Sequence, residues 1–228
     1  MAFDFVHTLR TSQRLRIERV RNLAQLLDFG ANANAALDGK RSRPDELNRS
    51  RRMLDDTVMS ATVDEYWSRI QELEFRRPSA FGDRSQCRNV RRYREDVVGL
   101  SLGVLATAAY GYAHVDDGVR AIRTDEGLQL LFRIAMQCQI IDDVMDFSKD
   151  CAQGLPGFLT ASESLLESFQ LTYDATRCYA SNDGASQKQN LFPLRIALFV
   201  VSALANLLIT LGRWRQRIPL VQSLPELR

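Results

Sequence analysis

All-α is the fold class that the 228-residue sequence predicts, and three observations predict it. Apolar residues recur every three or four positions through most long segments, the spacing that gives a helix one buried face. No stretch alternates apolar and polar residues in the manner of a half-buried strand. The periodic segments are separated by turn-forming clusters, such as GKRSRP ending at Pro44 and SNDGASQKQN starting at Ser181. A chain of this length fits one domain, residues 1–228, with volume for a substantial core. The expectation is a single-domain helical bundle of about six to eight helices.

The first helix is expected from about Ser12 to Leu37, with Leu15, Val20, Leu23, Leu26 and Leu27 on a shared side. GKRSRP breaks it, and Pro44 with Asp45 and Glu46 forms a favourable first turn for the next. That second helix carries Leu47, Leu54, Val58, Ala61, Trp67 and Ile70 to about Arg76, with Pro78 just beyond. A third is expected from about Ser85 to Ala113, where Gly99 and Gly103 permit close packing. HVDDG and RTDEG read as a loop, and a fourth helix follows from about Asp125 to Asp150. Gly154-Leu155-Pro156-Gly157 ends it. Another spans roughly Leu159 to Tyr179, and the last runs from Pro193 to Trp214. This last helix contains IALFVVSALANLLITL, sixteen uncharged residues, short of the ~20 that span a bilayer. A buried helix at the centre of the bundle is the first reading and peripheral membrane contact the second.

Composition narrows the function classes. Thirty basic and 28 acidic residues leave a net charge of +2, spread along the chain. Nucleic-acid binding calls for a basic stripe, so no nucleic-acid partner is expected. Mean hydropathy of −0.23 belongs to a globular chain. The basic residues are nearly all arginine, with lysine only at Lys40, Lys149 and Lys188. Arginine suits phosphate because its planar fork bonds two oxygens at once, although genome composition explains the same bias. Cys87, Cys138, Cys151 and Cys178 show no CxxC spacing, so free thiols in a reducing, cytoplasmic setting are expected. FDFVHTLRTSQRLR lacks the continuous apolar region of a signal peptide. His7 and His114 are too few and too far apart in sequence for a His-rich metal site or a Ser-His-Asp triad.

The stretch with the clearest chemistry is QCQIIDDVMDFSKD, Gln137 to Asp150. With Asp142 set at zero on a helix, Asp146 falls at about 40°, Gln139 at about 60°, Asp150 at about 80° and Asp143 at about 100°. Four carboxylates then share one arc, opposite Ile140, Ile141 and Val144. Like charges at this spacing repel, and a hard divalent cation held by carboxylate oxygens offsets the repulsion. A solvated acidic face is the alternative. Partners for such a cation are sought on Leu26 to Arg41, where Asp28 and Asn32 point the same way with Gln25 between them. Asn34 and Asp38 lie on a different face. Phe29 to Leu37 is free of charge, which favours burial, while Arg14, Glu18 and Arg21 on the Asp28 face favour a solvated stripe. A third stretch, RRYREDVVGLSLG from Arg91 to Gly103, crowds Arg91, Arg92 and Arg94 ahead of an apolar helix. Such a cluster clamps an anionic group or simply solvates a helix start. Asp55-Asp56 sits among arginines and reads as surface ion pairing.

QIIDDVMDFSKD, followed by QGLPGFLTA, resembles the second aspartate-rich motif of trans-prenyl diphosphate synthases. It is also similar to the second metal motif of class I terpene synthases, with ligands at intervals of four and a basic residue, here Lys149, before the last. YREDVVG resembles the helix-break region of terpene synthases and the tyrosine-containing segment of squalene and phytoene synthases. The Asp28 segment resembles the first aspartate-rich motif, with Asp28 and Asn32 where a paired and a third aspartate are usual. GKRSR, with Arg41, is similar to the basic residues that follow that motif, and Arg213-Trp214 to a C-terminal Arg-Tyr pair.

The resemblance implies an all-α isoprenoid synthase fold with a central apolar cavity and an allylic prenyl diphosphate substrate. It implies Mg²⁺ held by Asp28, Asn32, Asp142, Asp143, Asp146 and Asp150. Arg91, Arg92, Arg94, Lys149 and Arg41 would bind the diphosphate, and Asp142, Asp146 and Tyr93 would be catalytic. Prenyl transfer and cyclisation both stay open, and a homodimer is implied by the same likeness. The alternative is a non-catalytic helical partner subunit, or an isoprenoid- or lipid-binding bundle of the same descent.

Overall fold

Helix is the state that these residues adopt almost throughout. The structure, a computed structural model, describes residues 2–37, 44–55, 57–181 and 189–222. Among them are ten α-helices, one short 3₁₀ turn and no strand, apart from a single parallel bridge between Gly82 and Ser162. The chain divides into two compact units. One takes Met1–Arg76, Glu95–Phe132 and Ser186–Phe192, and the other Arg77–Arg94, Arg133–Ala185 and Pro193–Arg228.

In the first unit the helix expected from Ser12 to Leu37 is α2 (Ile17–Leu37), which starts about one turn later, and a helix that was not expected, α1 (Ala2–Thr11), precedes it. Ser12 takes a left-handed φ of 57°, and the Asp4 carboxylate accepts the Leu15 N–H at 2.8 Å. That contact reaches across eleven residues, which is why no Gly or Pro marks the break. Along α2, Leu23, Leu26, Phe29 and Ala33 are buried, and Phe29 meets Tyr66 and Trp67 edge-on at 6.4 and 6.0 Å. Leu27 turns outward.

The second expected helix is two, α3 (Pro44–Asp55) and α4 (Ser60–Phe75). Between them the Thr57 hydroxyl donates to the Leu54 carbonyl at 2.7 Å and accepts the Met59 N–H at 3.1 Å. Such a local hydroxyl–backbone pair competes with the helical ladder and stops it. Val58, expected on the apolar side, is exposed at this break.

Helix α5 (Arg84–Tyr110) matches expectation, but the DDG segment that reads as a loop is a helix, α6 (Val115–Thr124). Val115, Gly118 and Ile122 form its buried side. A methyl group built on Gly118 would come 2.1 Å from the Gly103 carbonyl oxygen, and one on Gly103 2.5 Å from Val119. Two glycines therefore let α5 and α6 meet backbone to backbone. Packing overrides the turn signal of Asp116-Asp117-Gly118.

The second unit takes the start of α5, α7 (Glu126–Met145) from Arg133 onward, α8 (Phe147–Gln153), α9 (Leu165–Ala180) and α10 (Phe192–Gln222) from Pro193 onward. Gln137 Nε2 donates to the Thr176 carbonyl at 2.8 Å and Arg133 Nε to the Tyr179 carbonyl at 2.7 Å, tying α7 to α9. Gly154, at φ 62°, closes α8 as the sequence leads one to expect. The next helix starts later than expected. Ser164 caps α9 by accepting the Glu167 N–H, and Pro156 to Ser162 forms a buried loop instead of the first turns. Helix α10 is buried on one side only, through Leu194, Leu198, Ala205 and Ile209. It is not the fully enclosed helix that its composition suggests.

Candidate functional site

The acidic segment lies wholly in the second unit, at the junction of α7 and α8. The expected single helix bends at Asp146, whose φ and ψ are −89° and 5°. Its hydrogen-bond ladder nevertheless carries through, from the Asp146 N–H to the Asp142 carbonyl at 2.8 Å and from the Asp150 N–H to the Asp146 carbonyl at 2.9 Å. The four-residue spacing of Asp142, Asp146 and Asp150 thus survives the bend.

The four carboxylates do not share one environment. Asp143 is 2% exposed and Asp150 7%, whereas Asp142 is exposed and Asp146 partly so. Asp142 and Asp143 are neighbours, about 100° apart on the helix, and the edge of the buried face passes between them. Cys138, Asp142 and Met145 face outward, while Met136, Gln137, Ile140 and Asp143 face inward.

Asp143 is fully engaged. Its Oδ1 accepts from Arg94 Nη2 at 2.9 Å and from Gln139 Nε2 at 2.8 Å, and its Oδ2 accepts the Phe158 N–H at 2.7 Å. Burial pushes its carboxyl up from the ordinary range, against the pull of Arg94 and the two other donors. Gly157 makes the approach of the loop possible, since a methyl group there would come 3.0 Å from Asp143 Oδ2. Arg94 is anchored by this pair, and its Nε is buried without a hydrogen-bond acceptor among the described residues. The GLPG turn signal gave the only hint of the Phe158 and Gly157 contributions in the sequence.

Asp150 is pushed up to about 6, first by burial and then by the charge of Asp143. Asp146 Oδ2 accepts from Lys149 Nζ at 2.6 Å, and that contact raises the Lys149 ammonium in turn. Tyr93 is partly buried on α5 beside Arg94, and Arg92 is exposed. Arg91 stacks over the Tyr179 ring at 5.2 Å and reaches Cys178 Sγ at 3.2 Å. The segment therefore gathers Arg94, Asp143, Asp146, Lys149 and Asp150 through contacts and mutual charge.

Asp28 and Asn32 belong to the first unit, on α2, where Asp28 is exposed and Asn32 partly buried. Gln25, between them in the sequence reading, has its Oε1 buried without a partner among the described residues. Asn34 is exposed, and Asp38 and Arg41 lie outside the described residues, as does Asp56. Among the described residues, no three His, Cys, Asp or Glu side chains gather closely enough to hold a metal ion. Cys138, Cys151 and Cys178 are free thiols, and burial raises the first two.

No protein-family model matches the chain, and neither a curated protein nor a solved structure matches it at a significant level.

Proposed function

We propose that this chain is a Mg²⁺-dependent enzyme of the class I isoprenoid synthase type, an all-α bundle around an apolar cavity. In this reading it ionises an allylic prenyl diphosphate for prenyl transfer or terpene cyclisation. One observation carries the reading. Asp142, Asp146 and Asp150 keep their four-residue spacing through the α7–α8 junction, and Asp143 holds Arg94 beside them.

The donor set fits Mg²⁺ in the way that ion is usually held. Carboxylate oxygens are hard donors, and Mg²⁺ commonly takes one or two of them and completes its shell with water and substrate phosphate. A closed protein cage is not required. The raised Asp150 carboxyl, crowded by Asp143 and Asp146, is also the kind of group that a nearby cation would relieve. One or two of Asp142, Asp146 and Asp150 would hold the ion. When bound, Mg²⁺ would supply positive charge to stabilise the departing diphosphate.

The chain's own residues would do the rest. Arg94, pre-positioned by Asp143, would bind diphosphate oxygens without first having to be ordered. Arg91, Arg92 and Lys149 are the further diphosphate-binding candidates, and Tyr93 the candidate for a hydroxyl at the reacting carbons. Asp28, Asn32 and Arg41 are assigned by resemblance alone and are tested by substitution.

The test incubates the pure protein with geranyl, farnesyl and geranylgeranyl diphosphates and Mg²⁺, with and without isopentenyl diphosphate. Release of diphosphate that requires Mg²⁺ and is lost in Asp142→Ala and Asp146→Ala is expected. Absence of release from all three, by protein that is folded and monodisperse, would remove the enzyme reading. A second reading, a non-catalytic bundle or partner subunit of the same descent, is favoured by one observation, that Asp143 of the acidic segment is taken up by Arg94, Gln139 and the Phe158 N–H. It predicts binding of a prenyl chain with no release of diphosphate.

A further inference from the structure

Helix α10 is apolar on both sides, and in the second unit only one side is covered. Leu194, Leu198, Ala205 and Ile209 are buried, whereas the seven large apolar residues that face outward between Ile196 and Trp214 are 45 to 74% exposed. At roughly 150–250 Å² for a fully bared large side chain, they leave roughly 800 Å² uncovered. Apolar patches on ordinary monomers reach about 300–600 Å², and one partner contributes about 800 Å² to a stable protein–protein interface.

Spacing narrows the shape that fits. Ile196, Val200, Ala203, Leu207, Thr210 and Trp214 are all exposed and follow one another at steps of four, three, four, three and four residues. Alternating steps of four and three make the seam along which two helices pack side by side. Phe199, Leu204 and Leu211 flank the seam. The small Ala203 near its middle leaves a hole for a facing side chain to enter.

The surroundings of α10 weigh against lipid. By length and composition Phe192–Trp214 could cross a membrane. A methyl group built on Gly212 would lie 3.8 Å from the Phe169 ring and 3.9 Å from Val144, so α10 adjoins α9 and α7. To cross, α10 would have to abandon the contacts that bury Leu194, Leu198, Ala205 and Ile209, or carry those helices into hydrocarbon. Asp142 on α7 and Asp174 and Arg177 on α9 are exposed, and each would lose its water there. An anionic headgroup surface is opposed at the same end, where Asp142 is exposed and Asp146 partly so.

A second copy of α10 fits the seam. Laid antiparallel about a two-fold axis level with Ala205, Ala203 of one copy meets Leu207 of the other, Val200 meets Thr210 and Ile196 meets Trp214. Small then stands against large at the centre and at both ends. Parallel pairing would set Ala203 on Ala203 and Trp214 on Trp214, a gap and a clash in one interface.

We propose that the outward face of α10 is a two-fold interface through which two copies of this chain pair, their α10 helices antiparallel. This proposal does not depend on the diphosphate chemistry.

Sedimentation velocity of the full chain at micromolar concentration, without Mg²⁺ or substrate, should show a dimer. Leu207→Glu, at an exposed position in the seam, should raise the dissociation constant about a hundredfold and leave the circular dichroism unchanged. Under mild oxidation, Ile196→Cys mixed with Trp214→Cys should yield a disulfide-linked dimer that wild type and either variant alone do not. A monomeric wild type would overturn the proposal, and its sedimentation with phosphatidylcholine vesicles would assign the face to lipid. A dimer that Leu207→Glu leaves intact would overturn it as well, by placing the interface elsewhere. Cross-linking of each cysteine variant to itself would overturn the antiparallel pairing.

Discussion

Replacing Arg94 by Met tests the centre of the acidic site without touching an acid. Met keeps an unbranched, flexible chain but removes the cation facing Asp143, which is 2% exposed. Removing one partner of a buried ion pair costs about 3–5 kcal/mol, because the other is left charged and unpaired. Two donors stay in place, Gln139 at 2.8 Å and the Phe158 N–H at 2.7 Å, which sets the expected loss near the lower end, about 3 kcal/mol. The pH dependence has a definite sign. Burial already raises the Asp143 carboxyl, and without Arg94 it rises further. A carboxyl raised in the fold contributes stability that is present below its unfolded pKa and lost as pH rises through the folded one. The deficit of Arg94→Met relative to wild type is therefore larger at pH 8 than at pH 5. Urea unfolding followed by circular dichroism at both pH values measures it. Arg94→Met with Asp143→Asn, which leaves no buried charge, should recover about 2 kcal/mol of the loss. A loss below about 1 kcal/mol at both pH values, the worth of an exposed pair, would refute the reasoning.

Three further outcomes are expected. Gly118→Ala forces α5 and α6 apart, because the new methyl would sit 2.1 Å from the Gly103 carbonyl and 2.4 Å from Thr107 Oγ1; a loss of about 3 kcal/mol is expected in urea unfolding. Asp150, raised to about 6, loses its contribution to stability as pH climbs from about 4 through that value, so Asp150→Asn should raise Tm at pH 8 and leave it unchanged near pH 4 in scanning calorimetry. Ser164→Ala removes the acceptor for the Glu167 N–H at the start of α9 and should cost about 1 kcal/mol in the same unfolding assay.

The all-helical class was legible because periodicity reports a buried face, and Leu15, Leu23, Leu26, Leu54 and Ile70 are buried as expected. What escaped was set by contacts distant in sequence. The break after α1 depends on Asp4 reaching Leu15, and Ser12 carries no mark of it. Helix α6 opens on a turn signal that the Gly118–Gly103 approach overrides. In the acidic segment the spacing was plain, but not which carboxylate turns inward. Arg94 and Phe158, from an earlier helix and a later loop, decide that in favour of Asp143. Helix α10 misled in the opposite way, since an uncharged run carries no record of which side finds a partner. Hydropathy alone counts both sides the same.

The loop from Pro156 to Ser162 has a consequence for how this chain tolerates change. Coil segments are ordinarily where proteases enter and where insertions accumulate. Here every residue of the segment is buried. The Gly157, Phe158 and Ser162 amides are held by Thr160, Asp143 and Ser168, at 2.7, 2.7 and 3.1 Å. One added residue would pull the Phe158 amide away from the Asp143 carboxylate and release the grip on Arg94. Loop length is thus constrained here as side-chain volume is constrained in a core. A segment with no regular structure becomes one of the least editable parts of the protein.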